Sequence, residues 1–134
     1  MHEIIDRKMT PSQKSKSIIE QYENFDPSKH DIQDLLLMRK ELAITRWKIS
    51  NYCMQEEQRF KTIYQQRKVF EATTKLETEG TTQHRESTAI KEAEEMRIIE
   101  AQHDGNARGA KIVLDGIDKV LDSMASMINS MNRI

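Results

Sequence analysis

Hydrophobic residues recur at seven-residue intervals along most of the chain, separated by polar positions. In the first long stretch the repeat consists of Leu35, Leu42, Ile49, Ile63 and Phe70, with Ile32, Cys53 and Phe60 one helical step away. Such a heptad repeat is typical of helices that pack on other helices. Since Pro27 and Ser28 precede the stretch and no Gly or Pro follows until Gly80, we predict a long helix over 28–78. Glu56 interrupts the repeat, which indicates a loose or register-setting layer.

A second repeat runs to the end of the chain. One line consists of Ala89, Met96, His103, Ala110, Ile117, Met124 and Met131, and a companion line of Ile99, Asn106, Val113, Val120, Met127 and Ile134. The polar segment before it predicts a turn over 79–87, followed by a helix over 88–132. Polar residues on such a seam usually fix register or oligomer number, which is the role we expect for His103 and Asn106.

The first 27 residues form a predicted N-terminal arm. Thr10 supplies an N-cap, Pro11 the first helical position, and Gln13 a capping-box partner, which predicts a helix from about Pro11 to Asn24. A helix of this length is marginal alone in water, so it needs a surface to dock on.

Together these elements predict an all-α fold: an elongated helical hairpin or coiled-coil-like bundle over 28–134, with the short helical arm in front of it. Charged residues make up 32% of the chain and aromatic residues 5%, which favours long helices over sheets. Apolar stripes on several faces predict a homo-oligomer. The predicted oligomerisation residues are Ala110, Val113, Ile117, Val120, Met124, Met127 and Met131. Whether the long helices fold back on each other or cross to a neighbouring subunit stays open.

Residues 103–111, HDGNARGAK, hold two of the four glycines. Three residues separate Gly105 from Gly109 where a phosphate-binding loop has four, and Ile112 stands where that loop has Ser or Thr. We therefore favour a kink, a hinge at Gly105 and Gly109, or close packing of another backbone over a nucleotide site.

The sequence gives little support for a metal site or for enzymatic catalysis. The histidines lack metal-ligand spacing, and no Ser or Cys lies in an activating context, so we expect no metal, no cofactor, no small-molecule substrate and no enzymatic activity. A single cysteine, Cys53, excludes an intrachain disulfide. The longest apolar run, 35–38, is far shorter than the ~20 residues of a transmembrane helix. We expect a soluble, cytoplasmic protein with no membrane partner.

Charge is distributed unevenly along the chain. From Arg39 to Lys75 there are nine Lys/Arg and four Glu, whereas 76–106 holds three Lys/Arg and eight Asp/Glu. Lysines and the one tryptophan share a helix face opposite the apolar seam, a pattern that suits a phosphate backbone with bases stacked on aromatic rings. The predicted nucleic-acid-binding residues are Lys40, Arg46, Trp47, Lys48, Lys61, Tyr64, Arg67 and Lys68. The alternative is a solvated face with Trp47 buried under the arm.

The layout resembles that of the phage recombination mediators, the UvsY-like proteins. The counterparts of that family's basic helix and C-terminal pattern are RWKISNYCMQEEQRFKTIYQQRK, residues 46–68, and VLDGIDKVLDSMASMINSM, residues 113–131. The resemblance implies a ring-forming, non-enzymatic protein of the phage-infected host cytoplasm that binds single-stranded DNA. It also implies partners: a recombinase that the protein helps to load, and a single-strand-binding protein. A helical assembly or adaptor protein that binds another protein is the alternative.

Overall fold

The computed structural model describes residues 9–133 and contains four helices and no strand over that range: α1 (Pro11–Glu23), α2 (Ile32–Glu77), α3 (Thr82–Glu92) and α4 (Glu94–Asn132). The all-α prediction is therefore confirmed. Residues 1–8 of the predicted arm, and Ile134 of the second repeat, lie outside the described residues.

Helix α1 begins where the sequence predicts. Thr10 is the N-cap: its hydroxyl accepts from the backbone N–H of Gln13 (3.2 Å), and the Gln13 side chain accepts from the backbone N–H of Thr10 (3.0 Å). This reciprocal capping box satisfies two N–H groups that lack helical partners. The predicted end at Asn24 is confirmed to within one residue, with Asn24 as the C-cap.

Helix α2 begins four residues later than predicted because side chains upstream bind the backbone locally. The Asp26 carboxylate accepts from the backbone N–H (2.9 Å) and the hydroxyl (2.7 Å) of Ser28, which stabilises a turn instead of a helical start. Asp31 then accepts from the backbone N–H of Gln33 (3.2 Å) at the helix entrance.

The prediction of a turn over 79–87 is wrong for most of that range. Gly80, with φ +117°, provides the reversal, and the Thr81 hydroxyl accepts from the backbone N–H of His84 (3.2 Å) to cap α3. The polar residues after Thr81 are exposed on a helix. The predicted second long helix is consequently divided at Ala93, the C-cap of α3.

No break occurs at the glycines of residues 103–111, because α4 is helical throughout this segment. A Cβ placed on Gly105 or Gly109 would meet no atom within 4 Å. The expectation that another backbone packs closely there is therefore wrong within this chain, and the interruption predicted near 105–109 lies at Ala93 instead.

The chain divides into two compact units. Of the described residues, unit 1 comprises 9–52 and 110–133. Its buried hydrophobic side chains are Ile18 of α1 and six residues of the predicted seams: Leu35, Leu42, Ile49, Ala110, Ile117 and Met124. Helix α1 buries Ser15 and Ile18, and its Tyr22 hydroxyl lies 2.6 Å from the hydroxyl of Ser123 on α4. Side chains of α1 line one groove with Ile49 and Tyr52 of α2 and another with Val113 and Val120 of α4, so both long helices provide the docking surface that the arm requires.

Unit 2, Cys53–Gly109, has a different interior. Its buried hydrophobic residues are small: Cys53, Ala89, Ala93 and Ala107. Its buried polar residues are larger: Glu56, Arg67, Glu71 and Thr74. Within this unit Glu56 contacts His103 and Arg67 contacts Glu100, so the two helices run antiparallel. Glu56 continues the line of Leu35, Leu42 and Ile49, so a buried carboxylate holds in unit 2 a position that leucine and isoleucine hold in unit 1.

Candidate nucleic-acid interface

All eight predicted nucleic-acid-binding residues lie on α2. Unit 1 holds Lys40, Arg46, Trp47 and Lys48, and unit 2 holds Lys61, Tyr64, Arg67 and Lys68. Six of them are exposed, whereas Arg46 is half-buried and Arg67 is buried. The exposed six leave their cationic and aromatic groups open to a ligand.

Trp47 is the most informative residue of unit 1. Its side chain is 64% exposed, so the described part of the N-terminal arm, residues 9–27, does not bury it. The buried face of the helix carries Leu42 and Ile49, and at 100° per residue Trp47 projects away from that face. The ring is therefore open to contact by a base or an apolar side chain, and burying it there would be favourable.

Further apolar side chains of α2 are exposed in unit 1: Ile44 lies about one turn from Trp47, and Leu36 and Leu37 lie about three turns from it. Leu36 is 40% exposed, Leu37 is 56% exposed and Ile44 is 48% exposed. Lys40 and Lys48 lie among them. This part of the surface therefore combines cations with apolar contact area.

Arg46 takes part in an ion pair within unit 1. Its Nε and Nη2 atoms donate to the two carboxylate oxygens of Asp118 on α4 at 2.5 and 3.1 Å. The hydrogen bond from Arg46 lowers the pKa of Asp118 despite partial burial of the carboxyl, which favours the charged pair. Arg46 consequently joins α2 to α4, and its charge is already neutralised.

In unit 2, Tyr64 is 42% exposed and has two cations near its ring. Lys68 Nζ lies 5.5 Å and Arg67 Cζ 5.2 Å from the ring centroid, within cation–π distance. Lys61 and Lys68 are exposed on the same helix. The exposed ring and the Lys68 ammonium beside it provide the two kinds of contact that single-strand sites use, stacking on a base and attraction of a phosphate.

Arg67 belongs to the interior of unit 2. It is 6% exposed, and its guanidinium donates to both Glu100 oxygens (2.5 and 3.2 Å) and to Glu71 (3.0 Å). Glu71 also accepts from Arg97 (2.6 Å). The hydrogen bond to Glu100, followed by that to Glu71, raises the pKa of Arg67 against the effect of burial. A guanidinium enclosed by two carboxylates is unavailable to a phosphate, so Arg67 contributes structure instead of a binding contact.

Glu56 is a second buried charge in unit 2. It is 3% exposed and accepts from Arg59 Nη1 (3.2 Å) and from the Nδ1 edge of His103. Its pKa is lowered, first by the hydrogen bond with His103 and further by Asn106, and these outweigh the effect of burial. The polar seam residues of the two helices therefore meet in one layer, as their positions in the heptads allow.

The predicted oligomerisation residues divide into two groups in unit 1. Ala110, Ile117 and Met124 are buried within the chain, and Val113, Val120, Met127 and Met131 are half-buried. Val113 and Val120 line a groove between α1 and α4 together with Ile19. Only the second group offers surface to another subunit.

Over residues 9–133, none of the helices combines the length and the apolar composition that crossing a membrane requires. No group of three or more His, Cys, Asp or Glu side chains within this range is placed to hold a metal ion.

No protein-family model, curated protein or solved structure matches the chain.

Proposed function

We propose that the protein is a non-enzymatic, self-assembling protein that binds single-stranded nucleic acid and acts in recombination or replication. In this proposal it helps to load a recombinase in competition with a single-strand-binding protein. Single strands bind to proteins through cationic grooves and exposed aromatic rings on which bases stack, at about 1–3 kcal/mol per base. The exposure of Trp47 among lysines is the observation that carries the proposal.

Each unit supplies its own contacts in this proposal. Unit 1 contributes Trp47 for stacking and Lys40 and Lys48 for phosphates, and unit 2 contributes Tyr64 with Lys61 and Lys68. Arg46 and Arg67 are omitted because carboxylates of the same unit already bind them. Their replacement would weaken binding only through the fold.

A helical assembly or adaptor protein is the second candidate, and one observation favours it. Ile44 is exposed about one turn from Trp47, and Leu36 and Leu37 are exposed further along the same helix; aromatic residues are enriched at the centre of protein–protein interfaces. An adaptor would use this apolar part of the surface and would leave Lys61 and Lys68 unoccupied.

Self-assembly is proposed through the half-buried side chains of the α4 stripe, Val113, Val120, Met127 and Met131, in coiled-coil-like packing. Their exposed edges lose water contact when another helix covers them. Light scattering on the purified chain measures the subunit number. A monomer at all accessible concentrations would remove this part of the proposal.

Fluorescence anisotropy of a labelled single strand tests nucleic-acid binding. We expect log affinity to fall with log salt at a slope of about −0.7 for each phosphate contact. Replacing both Lys61→Glu and Lys68→Glu removes two contacts and reduces the slope by about 1.4. A matched control with the exposed Lys91→Glu and Lys119→Glu makes the same charge change elsewhere and keeps the wild-type slope.

Salt-insensitive binding, or an equal loss in the control, would contradict the proposed face. Absence of strand binding together with specific capture of one protein partner through Leu37 and Ile44 would favour the adaptor.

A further inference from the structure

A groove in unit 2, on the side of α2 that faces α4, is lined almost entirely by hydrogen-bonding side chains. Its walls are Gln55, Gln58, Arg59, Thr62 and Gln66 of α2 and His103 of α4, and its volume is about 400 Å³. This volume lies within the range of small-ligand pockets, ~300–1,000 Å³. We ask which ligand such a wall would bind.

The chemistry of the wall distinguishes between ligand classes. A glutamine amide presents both a carbonyl acceptor and an NH₂ donor, and a threonine hydroxyl also donates and accepts. A phosphate or carboxylate only accepts hydrogen bonds, so the side-chain carbonyl oxygens of the three glutamines would have no donor on such a ligand. The edge of a nucleobase presents donors and acceptors together, and Gln and Arg are the side chains that most often bind adenine and guanine edges.

Arg59 and His103 are held in place from behind by one buried carboxylate. Glu56, 3% exposed, binds Nη1 of Arg59 and the Nδ1 edge of His103. The Arg59 side chain is 59% exposed, so the rest of its guanidinium remains accessible. Groups fixed before binding lose less side-chain entropy when a ligand arrives, which increases affinity.

The groove also adjoins a proposed phosphate contact. Lys61 precedes Thr62 in the chain and lies three residues after Gln58, and residues three apart are neighbours on a helix surface. A strand whose phosphate contacts Lys61 therefore places its next base beside the groove. Ile63, another lining residue, offers apolar contact to the flat face of that base.

We propose that this groove binds the edge of an unpaired guanine, with the accessible guanidinium of Arg59 donating to O6 and N7 and the amides of Gln58 and Gln66 completing the contacts. The site rests on the proposed function, because its base belongs to the single strand held at Lys61. It adds base preference to a surface that otherwise recognises phosphates and ring faces alone.

The experiment compares three strands of about 15 nucleotides, the length that one single-strand site covers. The first lacks bases, the second carries thymine only, and the third carries thymine with a few separated guanines. A bidentate arginine–guanine contact discriminates by about 5-fold or more, so the wild-type chain should bind the third strand at least about 5-fold more tightly than the second. Arg59→Gln should reduce that preference to below about 2-fold with little change for the strand without bases.

Two variants control for folding and charge. Arg85→Gln removes an exposed arginine of α3 in the same unit and should leave the guanine preference unchanged. Gln66→Ala leaves the contacts of Glu56 in place, so it should lower the guanine preference with an unchanged circular dichroism spectrum. It therefore tests the site even if Arg59→Gln perturbs the fold.

The outcomes separate the two proposals. Equal binding of the thymine and guanine strands, or a preference that persists in Arg59→Gln and Gln66→Ala, overturns the guanine site and leaves single-strand binding intact. Failure to bind any strand, including the one without bases, overturns both.

Discussion

Replacing Arg67 with methionine should destabilise unit 2 more than any exposed arginine replacement does. The side chain is 7% exposed and neutralises Glu100 and Glu71, which are 13% and 10% exposed. Methionine keeps the length of the aliphatic stem but leaves Glu100 without its ion-pair partner, while Glu71 retains Arg97. The perturbation therefore removes charge compensation and preserves most of the packing.

The expected loss is about 3 kcal/mol in the free energy of unfolding. Removing one partner of a buried ion pair lowers the free energy of unfolding by roughly 3–5 kcal/mol. The lower end of this range applies to Arg67 because Glu71 keeps Arg97 as a partner. Glu100, on one of only two packed helices, also lies close to solvent, which reduces the cost of leaving its charge unpaired. Replacing Arg67 and Glu100 together by methionine removes both charges and should recover more than half of the loss.

Urea denaturation followed by circular dichroism at the helix band measures this loss. For a slope of about 2 kcal/mol per molar urea, the Arg67→Met midpoint should fall by about 1.5 M. Arg85→Met, at an exposed position in the same unit, should stay within about 0.5 kcal/mol of wild type. The reasoning would be refuted if Arg67→Met matched Arg85→Met, or if the double replacement were less stable than Arg67→Met alone.

Two further predictions concern the glycines and the pH dependence of stability. Gly105→Ala and Gly109→Ala should each stabilise the chain by about 0.5–1 kcal/mol, since both glycines are helical and a Cβ there meets open space. Gly80→Ala should destabilise the chain because the φ of Gly80 is +117°. Thermal melts measure these changes, and a lower Tm for Gly105→Ala would contradict the prediction. The pKa of Glu56 is lowered below its ordinary value of 4.5, chiefly by the hydrogen bond with His103, so its contribution to stability is present above that value and is lost as the pH falls through the lowered pKa. Unfolding free energies measured from about pH 5 down to pH 3 should therefore fall less steeply for Glu56→Gln than for the wild-type chain, and parallel pH profiles would contradict the assignment.

Helix content and the apolar core were predictable because both depend on local residue types and their period. Leu35, Leu42 and Ile49 of the predicted seam are buried, and the Thr10 cap begins α1. In unit 2 the same seam is not buried as predicted, because Ile63 is half-buried and Phe70 is 39% exposed. Polar composition alone does not predict a turn over 79–87, because a capped, exposed helix tolerates polar residues on most of its faces. A gap in the apolar repeat therefore excludes a buried helix at those residues, but it does not exclude a helix that is exposed to solvent.

The candidate site was predicted in part. Trp47, Lys61 and Lys68 are exposed as a binding face requires, but Arg67 was assigned to that face by its charge. One signal places it inside: Arg67 follows Phe60 by seven residues and so continues the line through Cys53. Its partner Glu100 could not be found from sequence, because the pairing depends on how two distant helices align.

The most direct test of the proposed binding face is the fluorescence of Trp47, which is the chain's one tryptophan and so assigns the signal without ambiguity. A base that stacks on the indole should quench its emission in a saturable titration with a thymine strand at low salt, and added salt should restore the emission as phosphate contacts are lost. Emission that stays unchanged while anisotropy shows the strand bound, or an absence of binding at low salt, would contradict the account.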